Sequence, residues 1–125
     1  MPDRVSVLLV EDDFLIRACL AEFLQDQDLV VHEADSQAEA LLHLDSTAPV
    51  SVVITDISLP DGDGRAVAQH ARARRPTMPV IYISGYGDTV AREHDAFSRF
   101  ISKPYSMRDV LDAVRALTQA APARQ

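Results

Sequence analysis

Strand-like and helix-like periodicities alternate along this chain and predict an α/β fold: one parallel sheet covered by helices on both faces. Three observations carry the prediction. The runs at 5–10, 50–55 and 79–84 are nearly continuous in Val, Ile and Leu, as strands buried on both sides must be. The stretches between strands place apolar residues about 3.6 apart, the helical period. The connections are short, and repeated strand–helix units with short connections imply right-handed crossovers into a single sheet. A chain of 125 residues is expected to form one domain and to bury about two-thirds of its unfolded surface.

The elements follow in order. Strand one (5–10) leads into a first helix whose inward face is expected to carry Ile16, Leu20, Phe23 and Leu24, with Cys19 packed as a small side chain. The run 29–34 is more mixed, which predicts an edge strand. Ser36 followed by Glu39 has capping-box spacing and marks the second helix. Strand three (50–55) ends at a turn, Leu59-Pro60-Asp61-Gly62-Asp63-Gly64, that opens the third helix, and Arg75-Pro76 closes that helix. Strand four (79–84) is followed by the turn Gly85-Tyr86-Gly87-Asp88. A second mixed run, 99–102, predicts the opposite edge strand. After the turn at Lys103-Pro104, Ser106 with Asp109 gives a weaker cap, and Val110, Leu111, Val114 and Leu117 line the inward face of the last helix. The Ala-, Pro- and Gln-rich end reads as a frayed tail.

Composition narrows the function classes. Mean hydropathy of −0.03 and 25% charged residues describe a water-soluble globular domain. No apolar run approaches the roughly 20 residues of a membrane span, and the first residues lead into a strand rather than a signal peptide, so no membrane insertion is expected. Nineteen acids against twelve bases give a net charge of −7. Phosphate backbones repel such a surface, so no direct nucleic-acid partner is expected, whereas cations are attracted. Cys19 is the single cysteine, which excludes a disulfide framework or thiolate cluster and predicts a cytoplasmic location.

The informative polar residues stand where strands end. Glu11-Asp12-Asp13 follows the first strand, Asp56 the third, Ser84 closes the fourth, and Lys103 follows the fifth. Ligands of open α/β sheets bind at that carboxyl rim. An acidic triplet alone more often starts a helix, and a lone serine more often caps a turn; convergence of all four on one rim is the stronger signal. Carboxylates brought that close repel by about 4 kcal/mol per pair at 4 Å and an effective dielectric near 20, so a carboxyl pKa rises or a cation enters. Hard oxygen donors in small number suit Mg²⁺. A carboxylate beside that ion can accept a phosphoryl group, with an ammonium and a hydroxyl stabilising the transferred oxygens.

These motifs, Leu9-Val10-Glu11-Asp12-Asp13, Asp56 to Gly64, Ile83-Ser84-Gly85 and Lys103-Pro104-Tyr105, resemble those of the receiver domains of bacterial two-component response regulators, over residues 4 to about 117. The resemblance implies a doubly wound, five-stranded (βα)5 flavodoxin-like sheet of strand order 2-1-3-4-5. It implies a receiver domain over 4–119 with a flexible tail at 120–125. Asp56 would be the phospho-acceptor, served by a sensor histidine kinase or phosphotransfer protein, and a downstream target protein would read the result. Asp12 would ligate Mg²⁺ directly, Glu11 through water, and Ser58 through its backbone carbonyl, with Asp13 left to begin the helix. Ser84 and Lys103 would hold phosphoryl oxygens, Phe100 would be the switch aromatic, and a cis bond before Pro104 would aim the lysine. Gly85 departs from the more usual alanine. The stretch from Ser84 to Lys103 is shorter than in most members, and Val90, His94 and Phe97 form a thin stripe, so a short or mobile fourth helix is expected.

Competing readings are weaker. Asp61-Gly62-Asp63-Gly64 evokes a calcium loop, but Arg65 takes the next ligand position and no acid closes it. No glycine-rich phosphate loop follows the first strand. His32, His43, His70 and His94 lack paired ligand spacing and read as surface or boundary residues. A receiver-like binding module that works without phosphorylation is the alternative function; loss of Asp12, Asp56 or Lys103 would favour it, and all are present. Ordinary enzymatic turnover ranks third.

Overall fold

The computed structural model describes residues 4–85 and 96–119. Its elements are β1 (Ser6–Val10), α1 (Phe14–Asp26), β2 (Val30–Ala34), α2 (Gln37–Asp45), β3 (Val52–Asp56), the two-residue strands β4 (Ser58–Leu59) and β5 (Gly62–Asp63), α3 (Gly64–Arg74), β6 (Val80–Ser84), β7 (Ser98–Ser102) and α4 (Met107–Gln119). β1, β2, β3, β6 and β7 form one parallel sheet in the order β2-β1-β3-β6-β7. With the short β4–β5 ribbon set aside, this is the predicted order 2-1-3-4-5. β1, β3 and β6 are buried along their whole length, while β2 and β7 at the edges have mixed burial, as their sequences foretold.

Alternation along each strand sends side chains to two cores. On one face Val7, Leu9, Val52, Ile54 and Ile81 meet Leu20 and Leu24 of α1 and Val110, Leu111 and Val114 of α4. On the other, Leu8, Val10, Val53 and Val80 meet Ala40 of α2 and Val67, Ala68 and Ala71 of α3. Each fully buried Leu, Ile or Val contributes about 1.5–3 kcal/mol, so these two layers hold the sheet that positions the rim.

The helix starts follow the sequence. Asp13 caps α1 by accepting from the Ile16 N–H at 3.0 Å. Ser36 caps α2 through the Glu39 N–H, and the Glu39 carboxylate answers the Asp35 N–H, one residue before the position a capping box would give it. Ser106 accepts from the Asp109 N–H at 3.0 Å.

Three expectations need correction. Ile16 is exposed, and the inward stripe of α1 is Leu20, Ala21 and Leu24, with Phe23 half-buried. Cys19 is exposed rather than packed. Both residues line an open groove of about 620 Å³ between α1 and the segment from Lys103 to Met107, where the first turns of α1 meet surface instead of core. Phe97 lies in the turn before β7 and is 39% exposed. The rest of the expected fourth-helix stripe, Val90 and His94, lies outside the described residues, as do Tyr86 to Asp88 and the tail 120–125. Among the described residues no helix is long and apolar enough to cross a membrane.

Candidate functional site

The backbone places the site before any side chain acts. β1 and β3 are adjacent and parallel, so the residues leaving them emerge side by side at the carboxyl rim. The Glu11 N–H donates to the Ala34 carbonyl and holds the chain to β2 for one residue beyond the strand. The Ile57 N–H donates to the Ile83 carbonyl, and the Lys103 N–H to the Ser84 carbonyl, so the exits of β3, β6 and β7 are tied together. The Lys103–Pro104 bond is cis, as expected.

Four side chains converge there. Glu11 and Asp56 are buried, at 4% and 5% exposure, while Asp12 is exposed. The three carboxylates each offer an oxygen within 4.8 Å of the others. Lys103 Nζ stands 3.3 Å from Asp56 Oδ1 and 3.7 Å from Glu11 Oε1. Glu11 Oε2 accepts from the Asp13 N–H at 3.0 Å. Asp56 Oδ1 is fully buried and makes no hydrogen bond of good geometry, and the Lys103 ammonium 3.3 Å away faces it as a counter-charge.

Three acids against one ammonium leave the site short of positive charge. Burial, and then the Glu11 carboxylate, push the Asp56 carboxyl up to about 8, with Lys103 opposing the shift. Burial alone would lower the Lys103 ammonium; attraction to Asp56 and Glu11 outweighs it and holds the group above its ordinary value. Tyr105 is raised by burial and by the neighbouring Glu11 charge. A buried, underused carboxylate oxygen amid hard oxygen donors fits a small divalent cation.

Ser84 and Phe100 are less directly placed. Ser84 is buried at the end of β6, opposite Ser102 in register. Phe100 is half-buried and stacks on its cross-strand partner Tyr82, with centroids 4.8 Å apart and planes 17° from parallel. Ser58 opens β4 on the exposed rim, and Gly85 follows Ser84 half-exposed.

Several contributors carry no local signature. Arg17 donates to the Glu11 carbonyl at 2.8 Å and pairs with Glu33 at 3.1 Å. Asp61 accepts from the Gln37 and Ala38 N–H groups at the start of α2, and Gln37 Oε1 accepts from the Asp63 N–H. Only the charge of Arg17 one turn into α1 could have hinted at the first contact. The Asp61 contact joins residues 24 apart in the chain. It also disposes of the calcium-loop reading: Asp61 serves α2, and Asp63 caps α3 and binds Arg65.

With this geometry in place, comparison defines the class. The family model of the response regulator receiver domain matches residues 7–115. The chain is 33% identical over 118 residues to the sensor kinase CckA of Brucella abortus, an alignment covering 91% of this chain and 12% of that protein. It is 31% identical over 116 residues to the virulence transcriptional regulatory protein PhoP of Salmonella typhimurium, covering 90% and 51%. The crystal structure of a response regulator receiver protein from Sinorhizobium medicae matches with a TM-score of 0.82 at 30% identity, covering 94% of this chain and 97% of that one. The receiver domain of the hybrid histidine kinase CckA matches at 0.75 and 27% identity, covering 90% and 98%. The fold and the acidic rim thus define a two-component signalling module. The chain belongs to the response regulator receiver family, and it spans an eighth to a half of the length of these two curated relatives.

Proposed function

We propose that this receiver takes a phosphoryl group from a sensor histidine kinase or phosphotransfer protein onto Asp56, in a Mg²⁺-dependent reaction, and thereby switches a protein-docking surface. The observation that carries the reading is Asp56 itself: a buried carboxylate with an oxygen that makes no hydrogen bond of good geometry, flanked by two acids and one ammonium.

Glu11, Asp12, Asp56 and the Ser58 carbonyl would hold Mg²⁺, which when bound neutralises the carboxylates and draws electron density from the phosphoryl oxygens. The Asp56 carboxylate attacks phosphorus in line; the P–O bond forms as the P–N bond to the donor histidine breaks, and the departing imidazole keeps its electron pair and takes a proton. Lys103, already 3.3 Å from Asp56, pairs with one phosphoryl oxygen, and the Ser84 hydroxyl donates to another. The product adds roughly −1.5 to −2 charges at the rim, which favours an arrangement with Ser84 drawn inward and Phe100 repositioned. Lys103 also lines the apolar groove formed by Leu15, Ile16, Cys19, Pro104 and Met107, so a protein donor has apolar surface beside the acceptor.

The receiver unit is residues 4–119, acting in the cytoplasm on a target protein without binding nucleic acid. Incubation with Mg²⁺ and acetyl phosphate, read by intact mass, tests the reading. One phosphoryl adduct is expected, not formed when a chelator is present from the start and absent in Asp56→Asn; wild type without an adduct sinks it. Binding of the eventual target equally by wild type and Asp56→Ala would instead indicate the phosphorylation-independent module.

A further inference from the structure

The acids of the rim repel one another, yet the Glu11–Asp12–Asp13 turn keeps Glu11 and Asp12 beside Asp56. Something must hold that turn against the repulsion. Its own contacts are few: the Glu11 N–H donates to Ala34, the Asp13 N–H donates to Glu11 Oε2, and Asp13 turns outward to cap α1. Lys103 offsets the Glu11 carboxylate charge from 3.7 Å, and the Arg17 N–H donates to the Asp13 carbonyl; the side-chain hold on the Glu11 backbone itself comes from Arg17. Its Nη1 donates to the Glu11 backbone carbonyl at 2.8 Å, and its Nε donates to Glu33 Oε1 at 3.1 Å. The guanidinium lies 5.5 Å from the centre of the Phe14 ring, within cation–π range. The Arg17 side chain is only 14% exposed, although both flanking anchors are more open: Glu33 is 39% exposed and Phe14 67%.

We infer that Arg17 is a positioning residue for the metal site: its planar fork clamps the Glu11 carbonyl to edge strand β2 through Glu33, and so holds the acidic turn in its cation-binding shape. The inference rests on the reading of this rim as a Mg²⁺ site and extends it to a residue that touches neither ion nor phosphoryl group. Fixing a guanidinium between a carbonyl and a carboxylate uses the two-sided geometry that a lysine ammonium lacks. Groups that orient ligands from behind in this way commonly change metal affinity 10–100-fold when removed.

The sign of the effect separates positioning from bulk charge. Removing a positive charge near an acidic pocket should, by Coulomb attraction alone, tighten Mg²⁺ binding. Positioning predicts the opposite. In Mg²⁺ titration calorimetry, Arg17→Met is expected to weaken binding about tenfold, Arg17→Lys to fall between it and wild type, and Arg108→Met, on exposed α4 surface, to leave affinity within twofold. Unchanged or tighter binding by Arg17→Met overturns the inference. Wild type that binds no Mg²⁺ overturns the functional reading, and the clamp is then judged by the metal-free measurement alone. That measurement is amide hydrogen exchange at Asp13, whose N–H is bonded within the turn: faster exchange is expected in Arg17→Met, and unchanged exchange overturns the clamp. Should Arg17→Met fail to fold, Glu33→Gln, which weakens the outer anchor and leaves Arg17 in place, should still speed Asp13 exchange; no change there would overturn the clamp equally.

Discussion

Two acidic regions lie a few residues apart and behave in opposite ways. At the rim, Glu11 and Asp56 are buried, share one ammonium, and Asp56 is driven up to about 8 by burial and by Glu11. In the β4–β5 hairpin, Asp61 and Asp63 are more open and well supplied with donors. Asp61 accepts from two N–H groups at the start of α2 and sits below the usual carboxylate range. Asp63 is also lowered: partial burial opposes the shift, but Arg65 and its N–H outweigh it. Acid content therefore does not distinguish a chemical site from a structural one. The supply of donors does: carboxylates with enough of them build the scaffold, and one left short stays available for an incoming ligand.

The sharpest way to break this contrast is at Gly64, where the two regions touch. A Cβ there would run into the Asp56 carbonyl and crowd Thr55. Gly64→Ala should cost about 3 kcal/mol, at the upper end of overpacking, measured by urea unfolding. It should also blunt Mg²⁺ binding, because the strand end that carries Asp56 must move.

Next in size is Asp56→Asn, which removes the underused carboxylate. The folded-state pKa of about 8 lies above the ordinary value, so the folded chain holds this proton more firmly than the unfolded one. Wild-type stability should then fall as pH rises from the ordinary carboxylate value through about 8, without Mg²⁺. Asp56→Asn should lack that decline and be more stable at pH 8 by about 1–3 kcal/mol, once solvent screening and the Lys103 contribution are discounted. Thermal melts from pH 5 to 9 with a chelator present check this. A variant less stable than wild type at pH 8 would show that the rim is not strained by repulsion.

The smallest effect is expected in the hairpin, with the opposite sign. Asp63→Ala removes the cap of α3 and should destabilise by about 1 kcal/mol. Its pKa is lowered, so this stabilisation is present above the ordinary carboxylate value and lost as pH falls below the folded one. Melts at pH 7 and pH 3 should show the difference between wild type and Asp63→Ala shrinking in acid.

The same division explains what could be read in advance. Glu11, Asp12, Asp56, Ser84 and Lys103 were visible because each sits where a recognisable strand stops, and parallel strands bring all such points to one rim. The caps Asp13, Ser36 and Ser106 were visible because a cap is an arrangement within a few residues. The exposure of Ile16 and Cys19 was not, because helical periodicity shows which residues share a face without showing where the sheet beneath that face ends.

Local chemistry thus established the element types, the sheet, and which residues reach the rim, since strand burial, helix period and capping depend on neighbours in the chain. Tertiary structure alone decided which acids go short of donors, because that depends on what distant segments bring. Arg17 meets Glu33 across sixteen residues, Asp61 meets α2 across twenty-four, and Lys103 arrives beside Asp56 from the far end of the domain. A carboxylate's pKa and availability follow from burial and partners, and both are properties of the assembled fold.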